Sequence, residues 1–233
     1  MKLLIDIGNT SAKYAVAQGE EMLRCERLSG PWLQTLQRLL TEYAIDRIVV
    51  SCVGQKAELT EALSSLGLSA TWISHATPCA ISDIPAGYGA DRLAADVGAY
   101  RGQHALLVID AGTCITYDLI VDGRLAGGVI SPGVQLRLNA MHDYTALLPA
   151  IDARECGKDS APALMANDTQ GCMLSAALHG PQYEMEGYIR ALRRDYPDLE
   201  VVLTGGNAFL PDVDGPCTYD PLLVLKGLCK FAS

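Results

Sequence analysis

The sequence lacks most of the short signatures that reveal a chemistry at sight. Its eight cysteines, at positions 25, 52, 79, 114, 156, 172, 217 and 229, include no C-x-x-C pair, and its four histidines show no metal-ligand spacing. A zinc site is therefore not expected, and the cysteines read as small buried hydrophobes. No G-x-x-x-x-G-K-[ST] occurs, which excludes a P-loop, and no G-x-G-x-x-G marks a Rossmann dinucleotide site. No apolar run is long enough to cross a membrane. The opening KLLIDIG carries no basic region followed by an apolar stretch and a cleavage site, so no signal peptide is expected and a cytoplasmic location is. Basic residues are outnumbered, 18 against 27 acidic, for a net charge of −9. No basic stripe offsets this, the densest run being Arg190–Arg194, so a nucleic-acid partner is not expected.

What is present suits a compact α/β protein. Of 233 residues, 49% are hydrophobic and 19% charged, enough to bury a substantial core. Lys2–Ile7 is a short apolar run closed by Asp6 and Gly8, with Ser11–Ala17 as a plausible antiparallel partner. Leu33–Tyr43 and Glu58–Leu66 carry helical stripes around the β-branched run RIVVSCV (47–53). Pro78–Gly89 reads as a loop delivering Asp91-Arg92 to the start of a helix bearing Leu93, Val97 and Tyr100.

A second series opens at Ala105–Asp110, runs through Cys114–Val121, and reverses at Asp122-Gly123, a strong hairpin signal. Leu125–Ile130 is its next strand. Pro132-Gly133 then starts a helix with Val134, Leu138, Met141, Thr145 and Leu148 on one face. Asp168 is a helix N-cap, and Gly180-Pro181 is expected to kink or interrupt that helix before Tyr183–Arg194. Glu200–Leu203 is a strand, and Asp220-Pro221 an N-cap and first position for a closing helix over Leu222–Phe231.

Placed side by side, the two series match in order. Leu3–Gly8 corresponds to Leu107–Gly112, and VVSCVG (49–54) to VVLTGG (201–206). The chain is therefore expected to hold two related halves, 1–103 and 104–233, the second carrying a helical insertion.

The turn after Asp6 presents backbone N–H groups with Asn9 and Thr10, a concavity suited to phosphate oxygens. Lys13 supplies a cation on the next strand, and Asp6 can hold Mg²⁺ through water. A polar hairpin with a surface lysine is the plainer alternative. The second turn, Asp110-Ala111-Gly112-Thr113, repeats the geometry without a lysine; its aspartate suits a cation and Thr113 a phosphate. Thr204-Gly205-Gly206-Asn207 fits either an adenosine platform or a plain left-handed turn.

These motifs, in this order, resemble the type III pantothenate kinases of the acetate/sugar kinase–Hsp70–actin superfamily. The likeness covers almost the whole chain: DIGNTSAK (6–13), GADRLAADVGA (89–99), DAGTCITYDL (110–119), GGVISPG (127–133), NDT (167–169) and DPLLVLKGL (220–228). It implies two ribonuclease-H-like (actin-like) domains, each a mixed sheet with flanking helices, with the active site in the cleft between them. It implies ATP-dependent phosphorylation of pantothenate to 4′-phosphopantothenate, the first step of coenzyme A biosynthesis.

By that resemblance Asp6, Ile7, Gly8, Asn9, Thr10, Ser11, Ala12 and Lys13 form the ATP-phosphate loop, Asp6 helping to place Mg²⁺, and Thr113 is a second ATP contact. Gly89, Ala90, Asp91 and Arg92 match the pantothenate motif, with Asp91 as the catalytic proton acceptor, and Thr169 a further pantothenate contact. Asp110 matches a monovalent-cation ligand, for K⁺ or NH₄⁺, and the family is homodimeric. The chemistry of the residues agrees: a carboxylate can take a hydroxyl proton, and a guanidinium fork suits the carboxylate that pantothenate carries. Two departures stand out. A tyrosine the family often places about seven residues before Gly-x-Asp-Arg is Ser82 here, and the Gly180-Pro181 break is not usual. A superfamily kinase for another small hydroxylated acceptor, and a nucleotide-binding regulator without turnover, are the alternatives.

Overall fold

The computed structural model describes residues 1–154, 162–206 and 214–232. Cys156 and Asn207 lie outside these. The chain divides into two compact units. One comprises Met1–Gln103, Ile120–Ala126 and Leu222–Ser233; the other comprises His104–Leu119 and Gly127–Pro221.

The first sheet contains β1 (Lys2–Ile7), β2 (Ala12–Gln18), β3 (Glu21–Arg27), β4 (Arg47–Cys52) and β5 (Thr71–Trp72), in the order β3-β2-β1-β4-β5. β1 pairs antiparallel with β2 and parallel with β4. Strand alternation sends Leu3, Ile5 and Ile7 to one face, packed with Trp32, Leu36 and Leu39 of α1 (Trp32–Glu42) and Leu59 and Leu63 of α2 (Ala57–Ser65). Leu4 and Val49 go to the other face, against Ala90 and Ala94 of α3 (Ala90–Ala99). Helices on both faces explain why β1 and β4 are nearly continuous apolar runs.

α3 is the most enclosed helix here, buried throughout Leu93–Ala99 and not on one face only. It is gripped by α6 (Leu223–Phe231), and a Cβ at Gly227 would overlap the backbone of Ala94, while one at Gly98 would overlap that of Leu223. Only glycine allows helix backbones this close. The Lys230 ammonium then caps α3, donating to Val97 O at 2.7 Å and Tyr100 O at 3.0 Å.

The second sheet repeats the first. β6 (Ala105–Ala111), β7 (Cys114–Val121), β8 (Arg124–Pro132), β9 (Glu200–Thr204) and β10 (Cys217–Tyr219) stand in the order β10-β9-β6-β7-β8. Read from the other edge, β8-β7-β6-β9-β10 is the sequence of connections seen in β3-β2-β1-β4-β5. β6 pairs parallel with β9, as β1 does with β4. Asp122 (φ +50°) and Gly123 (φ +72°) close the β7–β8 hairpin in the left-handed conformation that the Asp-Gly pair predicts. Two mixed five-stranded sheets with flanking helices are thus the observed α/β architecture.

Three expectations are corrected. α5 (Thr169–Asp195) is one 27-residue helix that runs through Pro181 without interruption. The residue before a proline is normally restricted through its Cβ, and Gly180 has none. α4 (Val134–Asp143) stops before Thr145 and Leu148, and the Thr145 hydroxyl turns back to Met141 O at 2.7 Å. α6 begins at Leu223 with Leu222, not Asp220, at its N-cap position. Asp168 does cap α5, accepting from Gly171 N at 2.8 Å.

Candidate active site

In the first unit the residues expected to form a phosphate loop make a tight corner. Gly8 N donates to Ser11 O at 3.0 Å, leaving Asn9, Thr10 and Ser11 exposed at the tip. The end of β4 presses on this corner: Val53 N donates to Ile7 O at 2.9 Å, and a Cβ at Gly54 would overlap Gly8 O. The corner is therefore held from below by backbone, which fixes its shape whatever the side chains do.

Register places the charges. Asp6 stands opposite Lys13 on β2 and beside Ser51 on β4, and Lys13 stands opposite Arg27 on β3. Cross-strand partners share a face, so Arg27, Lys13, Asp6 and Ser51 form one row across four strands. It lies on the face that Leu4 and Val49 share with Ala90 of α3. The Lys13 ammonium makes no ion pair with any described residue. The Ser51 hydroxyl is fully buried with no hydrogen-bond partner among them. Neither Arg27 nor Ser51 was expected from sequence. The alternating polar-apolar pattern of EMLRCER, an edge strand, was the available signal for the first. Burial, chiefly, holds the thiol of neighbouring Cys52 above its usual range, and the Asp6 charge adds to this.

Gly89, Ala90, Asp91 and Arg92 form the first turn of α3 on that same face. Asp91 Oδ1 accepts from Arg92 N at 2.8 Å, so the carboxylate folds back over the helix start, where the dipole favours negative charge. A Cβ at Gly89 would come within 2.6 Å of that oxygen, so a larger residue there would push the Asp91 carboxylate aside. Arg92 lies over the Tyr88 ring, its guanidinium carbon 4.5 Å from the ring centre. Ser82 is occupied elsewhere, pairing with the hairpin tip through Ser82 N to Gly123 O (2.9 Å) and Leu125 N to Ser82 O (3.0 Å).

The second unit holds the remaining expected residues. Its corner is shorter: Gly112 N donates to Cys114 O at 2.9 Å, exposing Thr113 alone. Gly205, at φ +96°, lies against Asp110, and a Cβ there would overlap Ala111 O and stand 2.6 Å from Asp110 Oδ1. Gly133 closes on the same corner, donating to Thr113 O at 3.0 Å. Asp110 has Thr204 as its register partner, as Asp6 has Ser51. Thr169 lies apart from this corner, in an open groove of about 580 Å³ lined by Met141, Leu148, Asn167, Asp168, Cys172 and Met173 among others; Asp110 and Thr113 do not line it. Beneath the β8–α4 turn, Arg137 bonds Glu184 (2.5 Å) and Ser131 (2.8 Å), and Glu184 accepts from Tyr117, whose phenol is pushed well above its usual range by burial first and by Glu184 next.

A family model described as Type III pantothenate kinase matches residues 2–191. A Type III pantothenate kinase from Phocaeicola vulgatus is 37% identical, covering 100% of this chain and 98% of its own length. One from Porphyromonas gingivalis is 34% identical, covering 98% and 96%. Among solved structures, a conserved putative Baf family transcriptional activator from Campylobacter jejuni superposes with a TM-score of 0.59 at 23% identity, covering 98% and 96%. An activator of 2-hydroxyisocaproyl-CoA dehydratase from Clostridium difficile, solved with bound ADPNP, gives 0.52 at 15% identity, covering 99% and 92%. These structural likenesses establish the fold alone.

Proposed function

The chain belongs to the type III pantothenate kinase family, and on that premise we propose that it transfers the γ-phosphate of ATP to pantothenate, giving 4′-phosphopantothenate for coenzyme A synthesis. The observation that carries this is the first-unit face that holds a phosphate-suited corner, the two cations Lys13 and Arg27, and the Asp91-Arg92 helix start.

Phosphoryl transfer demands positioning and charge neutralisation around a loose transition state. The Gly8–Ser11 corner and Lys13 would cradle the triphosphate, with Thr113 as a second contact. Mg²⁺ would neutralise phosphate charge. Asp6 would help to place that ion through a water molecule. Asp110, pressed against Gly205, is the residue we assign to a monovalent cation, K⁺ or NH₄⁺. Asp91 takes the proton of the primary hydroxyl as the new bond forms, Arg92 grips the acceptor carboxylate, and Thr169 contacts the acceptor in its groove.

Asp91→Asn keeps the shape of the helix start and removes the base. It is expected to lower kcat by about a hundred- to ten-thousandfold with the thermal midpoint unmoved. A coupled ADP-release assay with and without pantothenate measures this, and a variant retaining near wild-type kcat would remove Asp91 from the mechanism. ATP hydrolysis indifferent to pantothenate would instead favour the regulator or a different acceptor.

A homodimer is part of the same reading. Tyr144, Leu147, Leu164 and Met165 of the second unit are 88%, 92%, 55% and 87% exposed. Large apolar side chains exposed to this extent suit burial against a second copy. Light scattering on the purified chain should give twice the monomer mass; a monomer at micromolar concentration would overturn this assignment.

A further inference from the structure

Tyr88 immediately precedes the Gly89 turn and is 9% exposed. Two of its contacts are directed. Its ring lies under the Arg92 guanidinium at 4.5 Å, and its hydroxyl donates to Asp96 Oδ2 at 2.6 Å. Asp96 is fully buried and follows Arg92 by four residues on α3, so both share a helix face. The three side chains form a stack: carboxylate, phenol, guanidinium.

We propose that Tyr88 is the positioning residue for Arg92, tethered from beneath by Asp96, and that this stack sets the enzyme's preference for an acceptor bearing a carboxylate. The inference rests on Arg92 contacting the acceptor. An unsupported arginine loses rotamer freedom when it grips an anion. Here the ring restricts the guanidinium beforehand, through its electron-rich face. The buried carboxylate adds to the effect: by accepting a strong, charge-assisted hydrogen bond from the phenol it draws the proton outward and enriches the ring in electron density. Tyr88 therefore acts through Arg92 and not on the substrate.

The test uses the full chain with two acceptors, pantothenate and its neutral primary amide. Tyr88→Leu is expected to raise KM for pantothenate about tenfold, the loss of one cation–π contact of roughly 1.4 kcal/mol. KM for the amide, KM for ATP and kcat are expected to stay within about twofold. Tyr88→Phe keeps the ring and cuts the tether, and an intermediate rise, seen for pantothenate only, is expected; this variant also serves if Tyr88→Leu does not fold. Equal shifts for both acceptors, or no shift in either variant, would overturn the proposal. Arg92→Ala separates the two readings. If it leaves the pantothenate KM unchanged, the acceptor-site assignment itself fails; if it raises that KM while the folded Tyr88 variants do not, only the role of Tyr88 fails.

Discussion

The two sheets share an order of strands and differ at the corner that matters. In each, aspartate is the last residue but one of a strand, a glycine follows its parallel neighbour beneath the turn, and a hydroxyl residue flanks the aspartate in register: Ser51 beside Asp6, Thr204 beside Asp110. The first corner is one residue longer, exposes three polar side chains, and has Lys13 and Arg27 in line behind it. The second exposes Thr113 alone and holds its aspartate tightly against Gly205. On the function proposed above, the duplicated frame serves two tasks, one to receive a polyanion and one to present a fixed carboxylate.

The glycines offer the largest handle on that contrast. Gly205→Ala adds both a backbone overlap and a left-handed φ to a residue with a Cβ, for an expected loss of about 3 kcal/mol in stability. Gly54→Ala has the overlap without the positive φ, and about 1–2 kcal/mol is expected. Urea unfolding of both variants decides; equal losses would mean that the two corners are braced alike. Next in size, Lys13→Ala should raise KM for ATP about tenfold, on the order of 1.4 kcal/mol, as befits a cation with no counterpart in the second corner. Steady-state kinetics with ATP varied is the measurement, and an unchanged KM would erase the distinction between the corners. Arg27→Ala, one strand further out and exposed, should have the smallest effect, about two- to threefold, and it should fade as salt is raised. A salt-independent effect would point to a structural role for Arg27 instead.

The elements nearest the chemistry were the most legible in the sequence. β1, β4, β6 and β9 are buried between helices, so their β-branched runs stand out from the chain. Their end-residues, Asp6, Asp110, Gly54 and Gly205, could be aligned by eye. The edge strands β3 and β10 escaped because exposure removes the apolar signal that marks a strand. Arg27 and Ser51 escaped for another reason: their place beside Lys13 and Asp6 comes from pairing register, which no local window of sequence contains. Asp96, which the Tyr88 hydroxyl meets, looks like any polar residue on an amphipathic helix until its burial is known. Pro181 misled because proline was weighed without the glycine before it.

The clasp of α6 on α3 carries a consequence for how the protein comes into being. The helix that presents Asp91 and Arg92 is enclosed by residues 223–231, more than a hundred positions downstream. A ribosome-bound chain that has emerged only as far as residue 103 lacks the surface on which α3 must settle, so the Asp91-Arg92 turn cannot mature in the order of synthesis. The first unit is begun first and finished last.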